Sequence, residues 1–108
     1  MAPVIRNVRQ YAAAKPTMDE FLALRERMNR VGANFLKLEV ETALLFISIG
    51  RNTPDEARRK HSCRLAWRAY QTVLHLMPKV DLTSEDYQMV TQGLARLKTE
   101  LEVLEESF

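Results

Sequence analysis

Phe21, Leu24, Met28, Val31, Phe35, Leu38, Thr42, Leu45 and Ile49 recur at alternating steps of three and four residues. That spacing keeps side chains on one side of an α-helix, and only Thr42 interrupts the apolar stripe. The phase holds through Gly32-Ala33-Asn34. A loop there has no reason to preserve it, so the pattern favours one continuous helix over 18–49, the alternative being a hairpin broken near Gly32. Continuity predicts that Gly32→Ala stabilises the protein by a few tenths to about 1 kcal/mol, because glycine is the poorer helix former. Beyond Val40, Ala43, Leu44, Phe46 and Ile47 add apolar character all round, so this half expects neighbours on several sides.

Cys63, Ala66, Trp67, Tyr70, Val73, Leu74 and Met77 form the expected inner face of a second helix over 54–77. Val90, Leu94, Leu97, Leu101 and Leu104 mark a third over 84–106. No period-two alternation suggests a strand. The start signals agree with these spans. Thr17-Met18-Asp19-Glu20 and Thr53-Pro54-Asp55-Glu56 have capping-box spacing, with proline at the first helical position in the second case. Thr83, followed by Glu85 and Asp86, is the third expected cap. Gly50 and Pro78 supply the stops. Short connections make consecutive helices antiparallel neighbours, so the expected fold is all-α, an antiparallel up-down bundle of three helices.

The expected lengths do not match. Helix one spans about 48 Å and the others about 35 Å, so its first turns project with Phe21 and Leu24 uncovered while its C-terminal half pairs with helix two. Residues 3–15, opened by Pro3 and carrying Val4, Ile5, Val8 and Tyr11, can form a short helix over them. A second copy of the chain can cover them as well. Phe21, Leu24, Met28 and Val31 are therefore the candidate self-association residues.

The chain has 108 residues, 46% of them hydrophobic and 28% charged, which fits one folded domain and excludes a disordered chain. The organisation expected is a basic N-terminal segment, 1–16, and a helical bundle domain, 17–108. One cysteine leaves no internal disulfide, and no apolar run approaches the 20 residues of a membrane helix or forms the core of a secretory leader. A cytoplasmic protein without a membrane segment is expected.

The net charge of +2 conceals blocks of +3 over 1–16, −1 over 17–50, +5 over 51–80 and −5 over 81–108. Arg58, Lys60, Arg64 and Arg68 in helix two form a candidate basic contact for phosphate or an acidic peptide. No aromatics interleave them on the outer face of the helix, as base stacking requires. Antiparallel packing instead brings this block toward Glu100, Glu102, Glu105 and Glu106, each cluster offsetting the other's unfavourable helix-dipole position.

Candidate chemistry is sparse. His61 and His75 lie fourteen residues apart on one helix, about 21 Å, too far to share an ion. His61 and Cys63, two apart, project about 200° from each other, which excludes a nucleophile–base pair within one chain. There is no Glu-x-x-His, no glycine-rich phosphate loop and no Gly-x-Ser-x-Gly. No catalytic, metal or cofactor site is expected.

Ala66, Tyr70, Val73, Leu74, Leu76 and Pro78 resemble the second helix of a tetratricopeptide repeat, with Thr42 to Gly50 standing for its first. The resemblance covers residues 41–78 as a single hairpin, lacks the repeat's tryptophan–leucine–glycine–tyrosine signature, and implies a peptide-binding role. The function expected from all of this is a non-enzymatic helical protein-interaction module, self-associating as a homodimer through helix one. The alternative is a nucleic-acid-binding accessory protein using the basic stripe of helix two.

Overall fold

The computed structural model describes residues 17–106. The basic segment 1–16 and the expected short helix over 3–15 lie outside these described residues. Three helices follow in order: α1, Met18–Asn52; α2, Glu56–Leu76; and α3, Ser84–Glu105, with a single 3-10 turn at Met77–Lys79. They form an all-α bundle whose consecutive helices run antiparallel, with no strand among the described residues.

The local chemistry explains each start. Thr17 accepts from the backbone N–H of Glu20 at 3.2 Å, and Thr83 accepts from that of Asp86 at 3.1 Å. The second start differs from the expected one: Asp55, not Thr53, caps α2 by accepting from the Ala57 N–H at 3.0 Å. Thr53 instead accepts from the Asp55 N–H at 3.3 Å, so Pro54 precedes the cap rather than opening the helix. A carboxylate at the cap also faces the positive end of the helix dipole, an advantage threonine lacks.

α1 is unbroken through Gly32, so the continuous reading holds and the hairpin does not. It also runs through Gly50 to Asn52, and no glycine has a positive φ. Gly50 is therefore not a helix stop. A Cβ there would meet Leu104 Cδ2 and Ser62 Cβ at 3.2 Å, so the glycine lets α2 and α3 approach α1 closely. Gly32 is equally crowded: a Cβ would meet Val80 Cγ2 at 2.9 Å. The propensity gain expected of Gly32→Ala is thus offset by displacement of Val80.

The core lies in two clusters along the bundle. Ala43, Ile47, Cys63, Ala66, Ala69, Leu97, Leu101 and Leu104 fill one, with Trp67 and Tyr70 packed against it. Leu36, Val40, Val73, Val90 and Leu94 fill the other, closed by Leu76, Met77, Val80 and Leu82. All five apolar positions expected for helix three are buried. In helix two, Leu74 departs from expectation, being 47% exposed, while Ala69 takes an inner position. Small residues there let α2 lie close to α1, and a leucine on that line would hold them apart.

The main correction concerns α1. Its buried residues are Ala33, Leu36, Val40, Ala43, Ile47 and Gly50, not the stripe that begins at Phe21. These also alternate by three and four residues, about 130° around the axis from the other stripe. The helix therefore carries two apolar stripes, and the bundle consumes the one built from smaller residues.

Candidate interaction surface

Two faces follow from one helix. Leu36 is fully buried, while Leu38, two positions on, is 59% exposed. Phe21, Leu24, Met28, Val31, Phe35, Leu45 and Ile49 are likewise exposed, and Thr42 is partly covered. The outer stripe thus runs from Phe21 to Ile49, about 42 Å at 1.5 Å per residue. Isolated exposed leucines are ordinary on a protein surface; a continuous apolar line of this length is not. The four expected self-association residues, Phe21, Leu24, Met28 and Val31, lie together on this face. The C-terminal half of α1 pairs with α2 as expected, but through the inner stripe, Ala43, Ile47 and Gly50 lying against Ser62, Cys63, Ala66 and Ala69, so the outer stripe stays uncovered there.

The N-terminal turns of α1 stand clear of the bundle. Every residue from Thr17 to Met28 is exposed. Asn29, whose Oδ1 accepts from the Asp81 N–H at 3.3 Å, is where the loop before α3 begins to touch α1. Arg25, Glu26 and Met28 already border clefts shared with residues 78–83, so among the described residues it is 18–24 that project, by about 10 Å. An isolated helix this short is marginal in water, and its first turn is held only by the Thr17 cap and by Asp19 and Glu20 near the dipole.

The basic block of α2 is arranged differently from expectation. Arg58 pairs with Asp55 at 3.7 Å and Lys60 with Glu56 at 3.2 Å, both within the first turns of their own helix. Arg64 and Arg68 are exposed and enter no ion pair among the described residues. The acids of α3 are used elsewhere. Glu100 accepts from Arg96 at 3.3 Å and meets Arg51 of α1 at 3.8 Å. Glu105 accepts the indole N–H of Trp67 and lies 4.0 Å from the Cys63 sulfur. The ends of α2 and α3 are juxtaposed as expected, with Glu105 beside Cys63 and Trp67, but among the described residues the ion pair between the basic and acidic blocks is made by Arg51 with Glu100, and none within 4 Å joins the α2 cations to the α3 carboxylates. These exposed pairs each contribute about 0–1 kcal/mol.

Cys63 is buried, and that burial, with the Glu105 carboxylate beside it, pushes the thiol above its ordinary range. Such a thiol stays protonated and unreactive. His75 sits 3.3 Å from Lys79 Nζ, far from His61 in sequence and facing solvent. Among the described residues no three His, Cys, Asp or Glu side chains group as metal ligands, and no helix is long and apolar enough to cross a membrane. A cleft of about 290 Å³ where α1 leaves the bundle is lined by Glu26, Asn29, Asp81 and Asp86 among others. Two of its three carboxylates are engaged, Asp86 by Lys37 at 3.1 Å and Glu26 by Arg30 at 3.8 Å.

Among the described residues, fold and surface together define a three-helix bundle in which an apolar face of α1 is left uncovered. No family model, curated protein or solved structure matches the chain.

Proposed function

We propose that this chain is a non-enzymatic helical interaction module that self-associates through the outer face of α1. The observation that carries this reading is the exposed stripe from Phe21 to Ile49, which keeps heptad spacing although the bundle makes no use of it. Heptad spacing is what a partner helix requires, whereas a solvated face has no need of it. Covering one side chain of this size contributes about 1.5–3 kcal/mol, comparable to a large part of a small domain's stability. A second copy offers the same surface in the same concentration and buries both at once. A cytoplasmic setting goes with this reading, since the lone thiol is buried and no disulfide supports the fold.

Sedimentation equilibrium at micromolar concentration tests it. The expected result is a dimer of the 12.5 kDa chain. Leu38→Glu at the centre of the outer stripe converts it to monomer and leaves the bundle folded. Leu36→Glu, on the inner stripe, unfolds it. A wild-type monomer whose stability is unchanged by Leu38→Glu or Leu24→Glu overturns the proposal.

The second reading, contact with nucleic acid, rests on Arg64 and Arg68, the two members of the α2 stripe without ion-pair partners. It requires retention on a phosphate matrix that weakens steeply with salt and is lost in Arg64→Ala/Arg68→Ala.

A further inference from the structure

We infer that the two copies pair through α1 in one antiparallel register, centred at the level of residues 32–34 and selected by four charges flanking the stripe. This inference rests on the self-association proposed above and fixes its geometry. Arg25 and Glu39 lie along one edge of the stripe, Arg27 and Glu41 along the other. None of the four enters an ion pair within its own chain among the described residues, in contrast to Glu26, Arg30 and Lys37 on the same helix.

Antiparallel helices place like edges together, so each edge of α1 meets the same edge of its partner. Setting Val31 opposite the partner's Phe35 brings Met28 opposite the partner's Leu38, Leu24 opposite the partner's Thr42, and Phe21 opposite the partner's Leu45. In that register Arg25 faces the partner's Glu39 and Arg27 faces the partner's Glu41. The two-fold axis repeats both contacts, giving four ion pairs from four otherwise unpaired side chains of each copy. The exposed Asn34 then flanks the axis and meets its own counterpart, while Gly32 on the other edge lies against Val80 of its own chain. The bare N-terminal turns of each copy lie along the C-terminal half of the other's outer stripe, so the projection and the uncovered face satisfy each other.

Other arrangements lose this match. Sliding by one heptad in one direction faces Arg25 with Phe46 and Arg27 with Ser48, and no ion pair remains. Sliding by one heptad in the other brings Glu20 against Glu41, a like-charge contact. A parallel pair joins opposite edges and keeps only Glu20 with Arg25. Residues 1–16 are a poorer occupant, since sixteen residues packed as a helix span about 24 Å of the 42 Å stripe.

Two acidic and two basic substitutions test the register in the full chain. Arg25→Glu/Arg27→Glu and Glu39→Lys/Glu41→Lys each weaken homodimerisation by about tenfold or more, because four attractive contacts become repulsive. Mixing the two variants restores a heterodimer of near wild-type affinity, which also shows that both are folded. In a Cys63→Ala background, Asn34→Cys is joined to its counterpart by a short thiol-to-thiol crosslinker, while Ser48→Cys, distant from its own counterpart, is not. A dimer whose affinity ignores the charge substitutions, or which crosslinks through Ser48→Cys as readily as through Asn34→Cys, overturns this register and leaves self-association standing. A wild-type monomer overturns both.

Discussion

Gly93 of α3 crosses Val40 of α1 so closely that a Cβ built on the glycine would sit 2.6 Å from Val40 Cγ1. Val40 is itself buried in the cluster with Leu36, Val73, Val90 and Leu94, so it has little room to retreat. The helix axes at this point are set by the absence of a side chain. Gly93→Ala gains up to about 1 kcal/mol of helix propensity, while overpacking of this kind costs about 1–3 kcal/mol. The expected outcome is net destabilisation of about 1–2 kcal/mol in denaturant unfolding. Val40→Ala made together with Gly93→Ala recovers part of that loss, giving a double-mutant cycle with a clear coupling. Additive effects would contradict the close crossing.

Trp67 makes one ring contact within α2 and one hydrogen bond that ties α2 to α3. Its ring meets that of Tyr70 edge-on, with centroids 5.4 Å apart and planes at 87°, and its indole N–H donates to Glu105. The ring is only partly buried, which puts Trp67→Ala near the lower end of the usual cost, about 3 kcal/mol. Trp67→Phe keeps the packing and isolates the hydrogen bond to a charged acceptor, an expected loss of about 1.5–3 kcal/mol. Native tryptophan fluorescence should shift when Glu105→Gln removes the charge beside the indole. An unchanged spectrum would contradict the contact.

Cys63 gives the protein a pH dependence at the alkaline end. Burial, and then the Glu105 charge, raise the thiol in the folded state. A raised thiol is neutral in both states below the unfolded pKa, about 8.5, so its contribution is fully present there. As pH rises further the unfolded chain ionises first, and the contribution is lost through the folded pKa. The stability difference between the wild type and Cys63→Ala, measured by urea unfolding, is therefore constant near neutrality and shrinks above the ordinary thiol range. The same burial predicts slow labelling by thiol reagents in the folded state.

The elements of this fold were written locally. Thr17 and Thr83, acids in the first turns of α1 and α3, and the three-four spacing of Val90 to Leu104 each act within a few residues of chain, so they place helices without reference to the rest of the molecule. The one start that shifted, Asp55 in place of Thr53, stayed within its own turn, because both side chains compete for neighbouring amides. Chain length alone also fixed that α1 outruns its neighbours.

Which face of α1 turns inward was a different kind of question. Phe21 to Ile49 and Ala33 to Gly50 are both regular stripes, and periodicity counts them alike. Residue size favoured the first, since phenylalanine and leucine have more apolar area to bury than alanine and glycine. Packing chose the second, because helices that cross closely need small side chains where their axes meet. Gly50 against Leu104 and Ser62, Gly93 against Val40, and the buried Ala43, Ala66 and Ala69 show that requirement met from three helices at once. That complementarity is spread over residues far apart in sequence, so no single stripe displays it. The sequence by itself determined three helices, their caps and an apolar excess on the first. Only the tertiary structure decided that the excess faces outward, because only the assembled bundle shows which surface the small residues had already used.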